Sequence, residues 1–286
     1  MEHGMLSGRQ RDILALIETD GTQYIEDLAA RYHLTTQTIR RDINALCDLG
    51  FARRFHGGVS VPVEGHNISI NARAALNRTA KQCIAKRVAT AIEPGSTVFM
   101  GIGSTVQFVA EALLEHRGLT VVTNNIDVAL TLCETPHIEV HMTGGLLRHN
   151  DRDVVGADVL RFFEKFYASY AVVGAGALHP SNGVLDFSYS EAQITAALIE
   201  NSRMAILAAD SSKWTRDASV KVVPFSKVKS LFTDRLPDGE AAEALAQAGT
   251  EIVLCSEDSA CPSADWCPCP VNWQAYVTFL QTSTTR

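Results

Sequence analysis

Apolar positions in the first sixty residues recur at helical spacing. Ile13, Leu14 and Ile17 form a short stripe, with Ser7 placed to cap a helix before it and Gly21 to stop it. Ile25, Leu28, Ala29 and Tyr32 come next at i, i+3, i+4 and i+7, a second helix. His33 and Leu34 make a tight turn, and Thr35 can cap a third helix. On that third helix, steps of about 100° per residue gather Ile39, Ile43 and Leu46 on one side. Gln37, Arg40, Arg41 and Asn44 fall on the opposite side, so the paired arginines are displayed to solvent. After Gly50, FARRFHGGVSV alternates as two short extended segments around Gly57 and Gly58.

The pattern shifts beyond residue 80. KQCIAKRVATAI is an amphipathic helix. It is succeeded by short β-rich runs: STVFM, LTVVT, IEVHMT, YAVVGAG, MAILAAD, SLFTD and EIVLC. Helical segments such as TVQFVAEALLE and SEAQITAALIENS lie between several of them. Strands alternating with helices predict a mostly parallel sheet covered on both faces. The fold class is therefore α/β, a small helical domain joined to a Rossmann-like domain. The stretch PVEGHNISINARAALNRT is polar, aperiodic and opened by Pro62, and reads as a linker. The expected organisation is an N-terminal domain over 1–62, a linker over 63–79, an α/β domain over 80–256 and a variable tail over 257–286.

Composition narrows the classes without naming one. The 286 residues are 46% hydrophobic and 20% charged, ordinary for a globular chain with real cores. The start is polar and no apolar run approaches the roughly 20 residues that span a bilayer, so a cytoplasmic protein with no membrane partner is expected. Cys47, Cys83 and Cys133 sit among apolar neighbours, as reduced, buried thiols do. Cys255, Cys261, Cys267 and Cys269 crowd the C-terminus. Their spacing is unlike a usual zinc pattern, and neither a metal nor another cofactor is expected.

The formal net charge of -7 argues against DNA binding, and residues 1–60 hold seven Lys/Arg against eight Asp/Glu. The four arginines between 40 and 54 nevertheless face only Asp42 and Asp48, so positive charge is local. Three short helices with a tight turn before the last form a helix-turn-helix, whose recognition helix enters the major groove by its N-terminal residues. Thr36, Gln37, Thr38, Arg40 and Arg41 stand at that end, with Asn44 one turn on. Glutamine can read adenine, and arginine can read guanine or hold phosphate. The extended pair after that helix resembles the wing of a winged helix, with Arg53, Arg54 and His56 placed to touch the DNA backbone.

In the second domain, chemistry gathers where strands end. Gly103, Ser104 and Thr105 lie after the first strand; Thr123, Asn124 and Asn125 after the second; Gly144, Gly145 and Arg148 after the third. Gly174 and Gly176 close YAVVGAG, and MAILAAD ends in Asp210 with Lys213 just beyond. Small residues at a helix start expose amides that bind anions, phosphate above all, and an arginine and a lysine converging there complete an anionic pocket. A dinucleotide fold fits poorly, because Val106 occupies the third glycine position and Asn124 stands after the second strand in place of an acid. A sugar-phosphate isomerase using Lys213, Asp210 and Glu191 as acid-base groups stays open on residues alone.

Long stretches also resemble a known family. LTTQTIRRDINALCDLGFARRFHGG is similar to the N-terminal signature of the DeoR family of bacterial transcription regulators, Ser-x-x-Thr-Ile-Arg-Arg-Asp-Leu and then Arg-x-His-Gly-Gly, with Thr35 at the serine position. In the second half, Gly101-Ile-Gly103-Ser104-Thr105 resembles the family's Asp-x-Gly-Thr-Thr, departing at Gly101. Thr123-Asn124, Gly144-Gly145, Arg148, Glu191 and Asp210-x-Ser212-Lys213 match position by position. The resemblance implies a sensor domain related to ribose-phosphate isomerase and glucosamine-phosphate deaminase folds. LDFSYSEAQITAALIENSRMAILAADSSKW is most similar to glycerol-3-phosphate repressors. The resemblance thus implies a repressor of a carbohydrate or polyol catabolic operon, not an enzyme, that binds double-stranded operator DNA. A phosphorylated sugar or polyol would release it, and one helix-turn-helix contacts too few bases to serve alone, so a homodimer or homotetramer is expected.

Overall fold

The computed structural model describes residues 7–48, 51–55, 57–60 and 69–255. It divides into two compact units, Met1–Leu76 and Asn77–Arg286.

The first unit runs α1 (Gly8–Asp20), β1 (Gln23–Tyr24), α2 (Ile25–Arg31), α3 (Thr36–Asp48), β2 (Arg53–Phe55), β3 (Gly58–Ser60) and α4 (Ile70–Ala75). Ser7 opens α1 with a capping box: its hydroxyl accepts from Gln10 N, and the Gln10 side chain accepts from Ser7 N at 2.9 Å. Gly21, at φ 77°, ends the helix. Thr35 Oγ1 accepts from Thr38 N at 3.2 Å and starts α3 as expected. Ile13, Ile17, Leu28, Ile39, Ile43 and Leu46 close the core, each fully buried side chain contributing about 1.5–3 kcal/mol. The three strands form an antiparallel sheet in the order β1-β3-β2. Gly58 is required there, because a Cβ would lie 2.3 Å from the Phe55 ring and 2.6 Å from Gln23 O.

The stretch expected as a linker is partly helical. Ser69 Oγ accepts from Ala72 N at 3.3 Å and caps α4, whose Ile70 and Ala72 are buried. A six-residue helix is too short for a period to show in the sequence.

The second unit begins with α5 (Arg78–Ala91), β4 (Thr97–Met100), α6 (Ser104–Ala112), β5 (Leu119–Thr123), α7 (Ile126–Cys133) and β6 (Ile138–Met142). A hairpin, β7 (Leu146–Arg148) and β8 (Asp153–Val155), precedes α8 (Ala157–Phe163) and β9 (Ala168–Val173). Then come β10 (Ala177–His179), β11 (Gly183–Asp186), α9 (Tyr189–Glu200), β12 (Ser202–Ala208), β13 (Val220–Val223), β14 (Ser230–Thr233), α10 (Gly239–Ala248) and β15 (Glu251–Leu254). All seven β-rich runs read from the sequence join one parallel sheet, ordered β15-β14-β12-β9-β4-β5-β6. Two cores flank it, one under α5 and α6 through Ile84, Val88, Val109 and Leu113, the other under α8 and α9 through Phe163 and Leu198. No helix of the described residues is long and apolar enough to cross a membrane.

The strand order reverses beside β4. From β4 the chain steps outward through β5 and β6, then returns to place β9 on the other side of β4. Open sheets of this kind bind ligands beyond the carboxyl ends of the strands where the order reverses. That point lies between the end of β4, at Gly101–Ser104, and the end of β9, at Gly174. The approach is close: a Cβ on Gly174 would sit 3.3 Å from Ile102 O.

Candidate functional site

On the first unit, the outer face of α3 is polar and open. Thr36, Gln37, Arg40, Arg41 and Asn44 are exposed, while Ile39, Ile43 and Leu46 behind them are sealed. Thr38 is half-buried, its hydroxyl 3.0 Å from that of Thr35. Arg54, on the hairpin, donates from Nη1 to Asn44 Oδ1 at 2.8 Å, so the wing is tied to the recognition helix. Arg53 lies on β2, but its side chain, like His56 as a whole, falls outside the described residues. Sequence reasoning missed Asp42. It is buried and accepts from Arg9 Nε at 2.6 Å and Gln10 Nε2 at 3.3 Å, locking α1 to α3. Its place, three residues after Ile39 on the apolar side, was the available signal.

On the second unit, α6 starts directly from β4. Gly103 holds φ 122°, a conformation that spares only glycine, and Ser104 and Thr105 are buried. Their hydroxyls make no hydrogen bond among the described residues, and the first amides of α6 have no helical partner. These are donors without acceptors at the reversal point. At Asn124, at the end of β5, Nδ2 donates to Val154 O at 2.9 Å, while buried Oδ1 has no hydrogen-bond partner among the described residues.

Neighbouring residues are committed to the scaffold. Thr123 Oγ1 donates to Met100 O at 2.7 Å and accepts from Asn125 N. Asn125 Oδ1 caps α7, accepting from Asp127 N at 2.9 Å, and Nδ2 donates to Gly101 O at 3.3 Å. Both therefore hold the ends of β4 and β5 in place. Gly144 and Gly145 are exposed; Gly145, at φ 149°, packs so near the hairpin that a Cβ would be 2.9 Å from Val154 Cγ1.

The sequence placed one arginine and one lysine together in an anionic pocket. In the structure Arg148 pairs with Asp153 and Glu191, and Lys213 lies beside Asp210. Arg148 donates three times to Asp153, at 2.7 and 2.8 Å from Nη2 and 3.0 Å from Nε, and also to Glu191 on α9, with Asp151 at 3.7 Å. Burial pulls the Arg148 pKa down, but these carboxylates more than restore it and hold the guanidinium charged. Burial, with Asp186 and Asp151 nearby, pushes Glu191 up to about 8 in spite of Arg148. Asp153 is also raised, by burial above all.

Lys213 is buried one turn beyond Asp210. Burial alone would raise the Asp210 carboxyl; the charges of Lys213 and Lys81, with hydrogen bonds from Ser212 and Asn77, hold it below its ordinary range. Asn77 Nδ2 donates to Asp210 Oδ1 at 2.9 Å. Lys81, buried on α5, and Asn77 were not legible as site residues, since both come from a segment that reads as an ordinary amphipathic helix and its approach.

The three cysteines expected to be buried are all more accessible than that. Cys133 is exposed at the end of α7, whereas Cys47 and Cys83 are half-buried. Cys255 is buried, and burial pushes its thiol up to about 12. Cys261, Cys267 and Cys269 lie outside the described residues.

Comparison with known proteins accounts for both halves. Residues 9–64 match the DeoR-like helix-turn-helix domain, and residues 76–235 the DeoR C terminal sensor domain. The glycerol-3-phosphate regulon repressor of Haemophilus influenzae is 37% identical over 87% of this chain and 96% of its own. The HTH-type transcriptional repressor CsqR of Escherichia coli is 35% identical over 88% of this chain and 96% of its own. Among solved structures, ribose 5-phosphate isomerase A from Neisseria gonorrhoeae aligns with 47% of this chain and 52% of that one, at a TM-score of 0.34 and 16% identity. With a helix-turn-helix whose polar face is open and a parallel α/β domain matched over most of its length, the chain belongs to the DeoR family of transcription regulators.

Proposed function

We propose that this protein is a transcriptional repressor that binds operator DNA through α3 and the β2–β3 wing, and that a phosphorylated sugar or polyol relieves that binding. The observation that carries the sensing half is the set of unused donors at the strand-order reversal: the Ser104 and Thr105 hydroxyls and the first amides of α6. A phosphate satisfies them together, and the positive charge of Lys213 and Lys81 near the end of β12 favours an anion. Asn124 Oδ1 is an acceptor for a sugar or polyol hydroxyl. Gly103 and Gly174 leave room for the ligand, while Thr123, Asn125, Gly144 and Gly145 shape the rim. Arg148 and Glu191 join the hairpin to α9 beside it.

DNA is held by exposed Thr36, Gln37, Arg40, Arg41 and Asn44, with Arg53, Arg54 and His56 of the wing on the phosphates. The protein works in the cytoplasm as a homodimer or homotetramer on repeated half-sites and does not turn its effector over. Domains over 1–62 and 80–256 divide the two jobs. Relatives named for glycerol-3-phosphate and relatives named otherwise lie at similar identity, so the effector is given as a class.

Thermal denaturation across a panel of sugar and polyol phosphates tests the sensing half. A ligand at 100 times its dissociation constant stabilises the folded state by about 2.7 kcal/mol, a shift of several degrees. One phosphorylated compound should shift the melt while its dephosphorylated form does not. Conversion of that compound into a new sugar phosphate would favour an isomerase with an appended helical domain.

A further inference from the structure

The edge strand β6 carries its own complement. Among the described residues it ends the seven-stranded sheet and pairs on one side only, with β5. Thr143 N donates to Thr123 O at 3.2 Å, just past the strand end. Peptide groups alternate in direction along a strand, so those of Glu139 and His141 also face β5, and those of Val140 and Met142 face outward. Ile138–Met142 has no proline, lysine, glycine or bulge, features that commonly keep an edge from pairing with another chain; its one acidic side chain, Glu139, is exposed and lies beside His141.

The side chains divide by face. Ile138 and Val140 pack into the core under α5 and α6, and Met142, on the same face, is 39% exposed. Glu139 and His141 share the other face, their Oε1 and Nε2 2.9 Å apart. An antiparallel pairing of two such strands about a two-fold axis at Val140 sets residue 138 against 142, 139 against 141 and 140 against itself. One face then holds Ile138–Met142, Val140–Val140 and Met142–Ile138. The other holds Glu139–His141 twice. Every apolar residue meets an apolar one and each carboxylate meets an imidazole, while the outward amide and carbonyl of Val140 bond their counterparts. A register centred one residue either way sets Glu139 against Glu139 or His141 against His141, which opposes like groups. The strand is self-complementary in one register only.

We propose that β6 is an isologous interface, joining a second copy of this chain so that two seven-stranded sheets become one continuous sheet of fourteen across the axis. This deepens the reading of the protein as a homo-oligomer and rests on it.

Cysteine scanning on the full-length protein tests the surface and its register together. Directly opposed residues of a hydrogen-bonded antiparallel pair have Cα atoms about 5.5 Å apart, within disulfide range. Under copper–phenanthroline oxidation, Val140→Cys should run as a covalent dimer on a non-reducing gel. Glu139→Cys should stay at the wild-type background, and Glu139→Cys with His141→Cys should crosslink again. By sedimentation equilibrium, Val140→Pro should halve the mass of the assembly with an unchanged circular dichroism spectrum. Val140→Lys, which sets two lysines together on the axis, replaces it if proline disturbs the strand. If wild type is a dimer or tetramer but Val140→Cys crosslinks no more than Glu139→Cys, the copies meet elsewhere and this surface is wrong. A monomeric wild type would overturn the oligomer reading itself.

Discussion

Arg40 and Arg41 extend from α3 into solvent, while Asp42 beside them is buried against Arg9 and Gln10. Three consecutive charges thus divide between solvent and scaffold by their angle on one helix. Replacing both Arg40 and Arg41 with alanine should weaken binding to a duplex selected on the wild-type protein. Each lost phosphate contact should also reduce the slope of log affinity against log salt by about 1. Fluorescence anisotropy across a salt series measures both, and an unchanged affinity and slope would remove α3 from the DNA. Lys213→Ala should lower affinity for the phosphorylated effector roughly ten- to a hundredfold, the cost of about 1.5–3 kcal/mol for a lost charge-assisted hydrogen bond. DNA binding without effector should persist; calorimetric titration showing equal effector affinity would place Lys213 outside the site, as a structural partner of Asp210. Glu191 gives a pH dependence whose sign is set by its raised pKa. Between about 4.5 and 8 the folded protein keeps a proton that the unfolded chain has released, so stability falls as pH rises through that window. Asp153 acts in the same direction, and Asp210, whose pKa is lowered, in the opposite direction at more acid pH. Denaturant midpoints of Glu191→Gln should decline less than wild type from pH 5 to pH 8, and parallel declines would deny Glu191 this role.

Among elements, the loop from β5 into α7 shows how much a short segment can hold. Asn125 caps α7, bridges to Gly101 and is fixed by Thr123. Asn125→Ala should destabilise the sensor unit by about 1–2 kcal/mol, read as a lower urea midpoint, with the cap and the β4–β5 link both lost. A midpoint equal to wild type would show these bonds to be redundant. The central sheet was legible in sequence because its strands are buried on both faces and read as continuous apolar runs such as MAILAAD and YAVVGAG. The β7–β8 hairpin and the β10-β11-β13 sheet were not, since LLR, DVV, ALH, GVLD and VKVV are runs of three or four residues that fall outside the strand–helix alternation marking the equally short β4, β14 and β15. The same brevity hid α4. Within the candidate site, Gly103, Ser104 and Asn124 could be singled out from sequence because they are small and polar residues at strand ends. Lys81 and Asn77 escaped because residues 133 positions apart, such as Asn77 and Asp210, are joined only by the fold. The hydrogen bonds by which Thr123 and Asn125 hold the ends of β4 and β5 were not legible either, because sequence does not reveal which polar atoms a scaffold uses.

At the scale of the molecule, two units with separate cores, one presenting an open polar helix face and the other unused donors at a sheet reversal, make a DNA reader joined to a chemical sensor. Coupling between them is what makes such a chain a regulator, because an effector shifts DNA binding only by its differential affinity for the two states. The measurement that tests this most directly is anisotropy of a fluorescent selected duplex bound to the full-length protein, titrated with the sugar or polyol phosphate that raises its melting temperature. The account predicts release of the duplex by that compound, no release by its dephosphorylated form, and release by Lys213→Ala only at roughly ten- to a hundredfold more ligand. A duplex that stays bound when the sensor is saturated would contradict it.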